Sequence, residues 1–145
     1  MVVATKDKQV FAAGHAHVDE KKCLWLRGLA ARPDSSGMKI GSALAAVAIQ
    51  HGCIAGHDVT AAVASIRMFR DGTLNERSRH SLERVGFKLD KGSDTRRLAG
   101  SHRDAHLLDS ADLDELGPFT TFRLLRATPD IVDKSRAFLS EWVQM

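Results

Sequence analysis

The chain has 145 residues, a length that favours one domain and leaves little room for two. Hydrophobic residues make up 43% and charged residues 27%, the balance of a globular domain rather than a disordered segment. A formal net charge of +3 favours an anionic partner. Lysine and arginine are dispersed and aromatic residues are only 6%, which argues against nucleic acid.

Cellular location is read from the cysteines and the apolar runs. Cys23 and Cys53 both lie among apolar residues, which predicts buried thiols in a reducing compartment. The longest apolar run, residues 40–49, is too short to cross a bilayer. The first residues lack the pattern of a signal peptide. We therefore expect a cytoplasmic protein with no membrane partner.

The first third of the chain predicts a sheet. Residues 2–5, 9–18 and 23–31 form three strand-like runs joined by short polar turns, which is typical of an antiparallel meander. Apolar residues then recur at helical spacing from residue 40 to residue 50, and Gly52 is expected to end this buried helix. Residues 58–66 predict another strand, so a crossover to a parallel pair is expected.

The rest of the chain alternates helix and strand around one long polar segment. Asn75 is expected to cap a helix that Gly86 ends before a strand at residues 87–89. Residues 90–118 are polar, and so long an excursion is expected to be a lid, a partner surface or mobile. A strand over residues 119–126 and a terminal helix over residues 129–144 complete the chain. The helix carries an apolar stripe that the core or another subunit must cover.

These elements predict one domain over residues 1–145, of the α/β class (α+β in some schemes). The expected architecture is a mixed, mostly antiparallel sheet flanked by helices.

Two stretches carry a family resemblance. The loop Ser36-Gly37-Met38-Lys39-Ile40-Gly41 follows a strand and opens a helix, and Asn75 opens a second helix that ends in Gly86-Phe87. Together they resemble the GNAT superfamily of acyl-CoA-dependent N-acyltransferases, whose loop signature is Arg/Gln-x-x-Gly-x-Gly/Ala. The resemblance covers residues 9–89, and its specificity comes from the order of the two stretches with a strand between them.

The loop has a physical use. A glycine-bearing turn at a helix start directs several main-chain N–H groups and the positive end of the helix dipole to one place, where a diphosphate fits. The resemblance implies that this loop holds the diphosphate of acetyl-CoA while the end of the third strand and the second helix hold the pantetheine arm. The residues it implies for the cofactor are Leu29, Ala30, Ala31, Ser36, Gly37, Met38, Lys39, Ile40, Gly41, Ser42, Asn75, Ser78 and Leu82.

Two positions depart from the family signature. Ser36 stands where the family has Arg or Gln, and Lys39 stands where it has the first motif glycine. The Lys39 side chain either obstructs the close approach of the diphosphate or adds a point charge to it, so we expect weakened rather than abolished binding. The plainer alternative is an ordinary loop that begins a buried helix.

The expected reaction moves an acetyl group from a thioester to an amine. Many family members place a tyrosine on the second helix as the proton donor, whereas Leu82 stands at that position here and also fits a core role. The chain contains no tyrosine. Ser81 is a candidate catalytic residue, although it and His80 are turned about 100° per residue away from the direction of Leu82.

The second strand offers a candidate base. His15 and His17 share one face because they lie two residues apart, and His17 is the candidate for taking the proton of the amine. The same pair could be metal ligands with Cys23, but no fourth ligand follows at a recognisable spacing, so no metal is expected. Both histidines also fit structural, half-exposed positions.

The expected function is therefore an N-acetyltransferase that uses acetyl-CoA and acts on the amine of a small molecule or peptide. The alternative is a catalytically degenerate relative that binds acyl-CoA or a protein partner without turnover. Family members usually begin with a strand and two helices that this sequence lacks. Either the chain is a truncated or divergent member, or residues 90–118 and the terminal helix are expected to replace that unit. A second subunit completing the cleft is a further alternative, and we expect a homodimer.

Overall fold

The computed structural model describes residues 1–35, 37–67, 73–89 and 122–144, in which six strands form one open sheet flanked by three helices. The strands are β1 (Val2–Lys6), β2 (Gln9–Val18), β3 (Leu24–Ala31), β4 (Val63–Arg67), β5 (Phe87–Leu89) and β6 (Phe122–Ala127). The helices are α1 (Ile40–Ile54), α2 (Glu76–Glu83) and α3 (Ile131–Trp142).

The strand order is β1-β2-β3-β4-β6-β5. Strands β3 and β4 are parallel, and the other neighbouring pairs are antiparallel. The meander, the crossover through α1 and the mixed, mostly antiparallel sheet are therefore confirmed. Within the described residues no helix combines the length and hydropathy that crossing a bilayer requires.

Two predicted boundaries are wrong because packing overrides local signals. Helix α1 continues through Gly52 to Ile54, and a Cβ at Gly52 would lie 2.8 Å from Cγ1 of Val59. That glycine therefore allows close packing and does not end the helix. The strand expected from residue 58 begins only at Val63, because Val59–Ala61 form a turn of 3₁₀ helix. The excursion at residues 90–118 and the first residues of the last predicted strand lie outside the described residues.

All three helices pack on the same face of the sheet. The main core joins apolar side chains of that face to α1, α2 and α3, and it contains Leu26, Ile49, Leu82, Leu125 and Ile131. On the opposite face the alternating neighbours Trp25, Val63 and Leu124 form a second cluster. One face of the sheet is therefore covered by the helices, and this packing fixes the position of α1 and α2 relative to β3.

Helix α3 lies antiparallel to α1 and is tied to it at both ends. Near its start, Nε2 of Gln50 donates to the Val132 carbonyl at 3.0 Å and to Oγ of Ser135 at 2.7 Å. Near its end, Nε1 of Trp142 donates to the Met38 carbonyl at 2.8 Å. The apolar stripe of α3 packs on the cores within the chain, apart from Val143, which is 70% exposed. A second subunit is therefore not required to cover it, and the homodimer stays a prediction.

Candidate functional site

A cavity of about 470 Å³ opens where the end of β3, the loop before α1 and one side of α2 meet. Nine of the residues implied for the site line it or lie at its edge, and six further residues complete the wall. The lining residues are Leu29, Ala30, Ala31, Arg32, Pro33, Ser35, Gly37, Lys39, Ile40, Gly41, Arg77, Ser78, His80, Ser81 and Arg84.

The first wall exists because β3 carries an extra residue. Ala30 pairs with Ala13 and Arg27 pairs with His15. Between these two pairs β3 advances by three residues, whereas β2 advances by only two. Two residues of β3 therefore oppose Gly14, which defines a β-bulge, a feature that bends a strand and often lies next to a functional site. The parallel ladder to β4 contains, among the described residues, only the pairs Trp25–Val63 and Leu26–Ala64. The later residues of β3 thus leave β4 and face the cavity.

The second wall is the start of α1, which has no side-chain cap. Lys39 precedes the helix in the left-handed conformation, with φ 54° and ψ 30°. The first intrahelical bond runs from the Ala43 N–H to the Lys39 carbonyl at 3.1 Å. The main-chain N–H groups of residues 39–42 therefore have no acceptor within the helix, and three of the residues that bear them line the cavity. Such a helix start is suited to an anion.

The two glycines of this wall leave space rather than fill it. Gly37 has φ 87°, which favours glycine, and a Cβ there would meet nothing within 4 Å. A Cβ at Gly41 would meet Oγ of Ser81 at 3.6 Å, an ordinary contact, so packing does not demand glycine at this position. Both positions keep the main chain accessible from the cavity.

The lining is basic. It includes four Lys or Arg side chains and one histidine, and no lining residue in the described part of the chain is acidic. Arg32 is already paired with Asp34 at 2.7 Å and stacks 4.7 Å from the centroid of the Phe11 ring. Lys39, Arg77 and Arg84 are the other basic side chains of the lining.

The third wall is one side of α2. Oδ1 of Asn75 accepts from the Ser78 N–H at 3.2 Å, so the predicted N-cap is confirmed. Ser78 and Ser81 line the cavity, whereas Leu82 is 2% exposed and belongs to the main core. The expectation that the Leu82 position faces the cofactor is thus not met. The side of α2 towards the cavity carries residues 77, 78, 80 and 81 instead, and Arg84 follows directly after the helix.

The hydroxyls of Ser42 in α1 and Ser81 in α2 both donate to main-chain carbonyls. Ser42 is fully buried, and its Oγ donates to the Ser81 carbonyl at 2.7 Å, so this hydroxyl joins α1 to α2 and does not face the cavity. Oγ of Ser81 donates to the Arg77 carbonyl at 3.0 Å. As a candidate catalytic residue, Ser81 is therefore placed at the cavity but already hydrogen-bonded within its helix.

Several predicted residues lie outside the lining. The Met38 carbonyl accepts a hydrogen bond from Trp142, and Met38 is 42% exposed. Asn75 acts as the cap of α2, and Ser36 lies outside the described residues. Apart from Ser42 and Leu82, the other residues that the resemblance implies for the cofactor, including Leu29 and Ile40, line the same cavity.

The histidine pair is on the same face of β2, as predicted, with ring centroids 5.9 Å apart. His17 pairs with Trp25, whereas the cavity wall begins at Leu29. Four residues of strand span about 13 Å, so His17 lies away from the cavity. The structure brings His80 to the cavity instead, between Glu76 and Glu83 at 3.8 and 3.7 Å.

Sequence reasoning missed the basic row Arg77, His80 and Arg84. The signal was present, because residues at i, i+3 and i+7 share one side of a helix. The row lies opposite the apolar side that contains Leu82 and Val85.

No protein-family model, no curated protein and no solved structure matches this chain. No group of three or more His, Cys, Asp or Glu side chains in the described ranges is arranged to hold a metal ion.

Proposed function

We propose that the protein is a relative of the GNAT superfamily and transfers an acetyl group from acetyl-CoA to the amine of a small molecule or peptide. The observation that carries the proposal is the coincidence of a basic cavity with an uncapped helix start at the place where β3 leaves β4. The loop signature identified in the sequence lies at this same place.

Acetyl-CoA, the acetyl donor of the proposed reaction, has an anionic end that fits the start of α1. Main-chain N–H groups of Lys39, Ile40 and Gly41 would bind the diphosphate, with Lys39, Arg77 and Arg84 adding charge around it. Amide donors and a helix dipole act together on phosphate, and cationic hydrogen bonds strengthen the contact. Gly41 supports this assignment, since neither packing nor a positive φ requires glycine at that position.

The pantetheine arm has amide groups that pair like a strand. The main chain of Ala30 and Ala31 lies at the cavity on the side where β3 has left β4, and the arm would extend along it. Ser78 would contact the arm from α2. This placement leads the thioester from the helix start towards the bulge, where the ladder to β4 stops.

In the reaction the amine nitrogen attacks the thioester carbonyl, a C–N bond forms, the C–S bond breaks, and the electron pair leaves with sulfur. The amine loses a proton and the thiolate gains one. Imidazole can accept or donate a proton, and His80 is the described lining residue that can do so. We assign the proton of the amine to His80 in preference to His17, which lies about 13 Å along the sheet.

A second candidate function is a binder of acyl-CoA without turnover. It is favoured by Leu82, which places an apolar core side chain where many family members have a proton donor, and by the commitment of the Ser81 hydroxyl to the Arg77 carbonyl. A thiolate leaves without protonation more readily than an alkoxide, since a free thiol has a pKa near 8.5, so these features slow transfer rather than forbid it.

The test measures binding and turnover separately. Acetyl-CoA at about 100 times its Kd should stabilise the protein by about 2.7 kcal/mol and raise its Tm by several degrees. Release of free thiol from acetyl-CoA is then followed with a panel of small amines and peptides. Binding with amine-dependent release supports the transferase, and binding without release supports the second candidate. No change in Tm at millimolar acetyl-CoA contradicts both.

The assignment of the proton is tested with two matched variants. His80→Asn should lower the rate of thiol release by about 10²-fold, the usual scale for one acid–base group, and flatten its pH profile. His17→Asn should leave both within about twofold on the same reasoning. The reverse result would return the role to His17.

A further inference from the structure

The last turn of α3 is fastened to the loop that begins α1. Nε1 of Trp142 donates to the Met38 carbonyl at 2.8 Å, across 104 residues of sequence. The Trp142 ring also packs against the small cluster formed by Ala12, Ile40 and Leu44. Trp142 is not among the described residues that line the cavity, so any effect on a ligand must pass through the loop.

The hydrogen bond fixes one peptide group of that loop. In a trans peptide the carbonyl and the following N–H point in opposite directions. The Met38 carbonyl points to α3, so the Lys39 N–H points away from α3. Lys39 lines the cavity, and its N–H is one of those that have no acceptor within the helix.

This peptide needs support from outside the loop. Lys39 has a φ of 54°, a left-handed conformation that costs energy in a residue with a side chain, and it makes no side-chain cap for α1. Within the loop, the Met38 N–H donates to the Ser35 carbonyl at 3.2 Å, which holds one side of Met38. The indole N–H of Trp142 holds the other side of Met38, because it donates to the carbonyl of the peptide that joins Met38 to Lys39.

We propose that Trp142 is a positioning residue for the diphosphate of the acyl donor. Its indole N–H fixes the peptide between Met38 and Lys39 so that the Lys39 N–H is presented to the cavity before the ligand arrives. This inference rests on the proposed function, because it names the group that prepares the same site.

The test compares two tryptophan variants and two probes. Trp142→Phe keeps an aromatic ring but removes the donor, and the probes are coenzyme A and pantetheine, which has no phosphate. We expect Trp142→Phe to raise the Kd for coenzyme A by about 3- to 10-fold, the range that loss of one hydrogen bond gives, and to leave the Kd for pantetheine unchanged. If turnover is present, KM for acetyl-CoA should rise while kcat stays constant.

The control is Trp25→Phe. Nε1 of Trp25 donates to Oδ2 of Asp19 at 2.9 Å, so this variant also loses an indole N–H and one hydrogen bond, but at the other end of β3. It should bind coenzyme A as the wild-type protein does. A purely structural role for Trp142 would instead lower the affinity for both probes, or lower it equally in the two variants, and either result overturns the proposal.

A spectroscopic measurement covers the case in which Trp142→Phe does not fold. In ¹H–¹⁵N spectra of the wild-type protein, coenzyme A should shift the Lys39 amide and the Trp142 indole resonances, and pantetheine should shift neither. Binding of coenzyme A without a shift of the Lys39 amide overturns this inference and leaves the proposed function intact. Failure of the wild-type protein to bind coenzyme A at all overturns the proposed function and the inference with it.

Discussion

Helices α1 and α2 are joined by the hydrogen bond from Ser42 to the Ser81 carbonyl, and their starts satisfy the first N–H groups in opposite ways. Asn75 accepts from the Ser78 N–H and closes the start of α2 with its own side chain. At the start of α1, Lys39 adopts a left-handed conformation and makes no such bond. The uncapped start faces the basic cavity, while the capped start does not. A helix that gives up a cap worth about 1 kcal/mol keeps its amides available for a ligand, which is how we interpret the difference.

Reversing the charge at the uncapped start should give the largest effect. Lys39→Glu places a carboxylate next to the proposed diphosphate and is expected to raise the Kd for acetyl-CoA by about 10- to 100-fold, less at high ionic strength. The measurement is isothermal titration calorimetry at low and high salt. Lys134→Glu on the exposed side of α3 makes the same change in net charge and should have little effect. Equal losses in both variants would contradict a local anion site.

Removing the cap of α2 should lower stability. Asn75→Ala leaves the Ser78 N–H without its acceptor and is expected to reduce the free energy of unfolding by about 1 kcal/mol, read from urea denaturation. Asn75→Asp keeps a cap, so its stability should stay near that of the wild-type protein. Since Asp and Ala both lack the amide donor, an equal drop in acetyl-CoA affinity in the two variants would assign that donor to the pantetheine arm.

Replacing Lys39 with glycine should raise the stability of the protein, whereas removing the cap of α2 lowers it. Lys39→Gly removes the cost of a side chain in the left-handed region and should raise the free energy of unfolding by about 0.5–1 kcal/mol. Lys8→Gly is the matched control, because Lys8 has φ 64° in the turn between β1 and β2. Acetyl-CoA affinity should fall only in Lys39→Gly if the ammonium contributes charge. A rise in affinity would show that the side chain obstructs the diphosphate.

The smallest effect is expected at the start of α3. A hydrogen bond from Oγ1 of Thr128 lowers the pKa of Asp130 below its usual value of 3.8. A carboxyl with a depressed pKa in the folded state stabilises the protein above its unfolded pKa, and that stability is lost as pH falls through the folded value. The Tm difference between wild-type and Asp130→Asn should thus be constant near neutral pH and shrink as the pH falls below the usual value of 3.8. A constant difference down to pH 2 would contradict the assignment.

The alternation of strands and helices, and much of the cavity wall, followed from local patterns. Strand β2 was predicted with its observed bounds because polar turns flank it on both sides, and the loop before α1 was found from its glycines. The prediction that Gly52 ends α1 is wrong because a glycine near a helix end also serves close packing, and only the fold places Val59 against it. The direction of Leu82 likewise depended on which side of α2 meets the sheet, a tertiary fact. The link from Trp142 to Met38 has no local signal at all.

The extra residue of β3 has a consequence for how such an opening arises and is lost. With one residue fewer at Gly28 or Leu29, the pairs Arg27–His15 and Ala30–Ala13 would fall into one continuous register. The strand would then run straight, and its final residues would be free to pair with β4 beyond Ala64. Deletion of this one residue is therefore expected to close the space between β3 and β4, so the opening depends on a segment of only two residues.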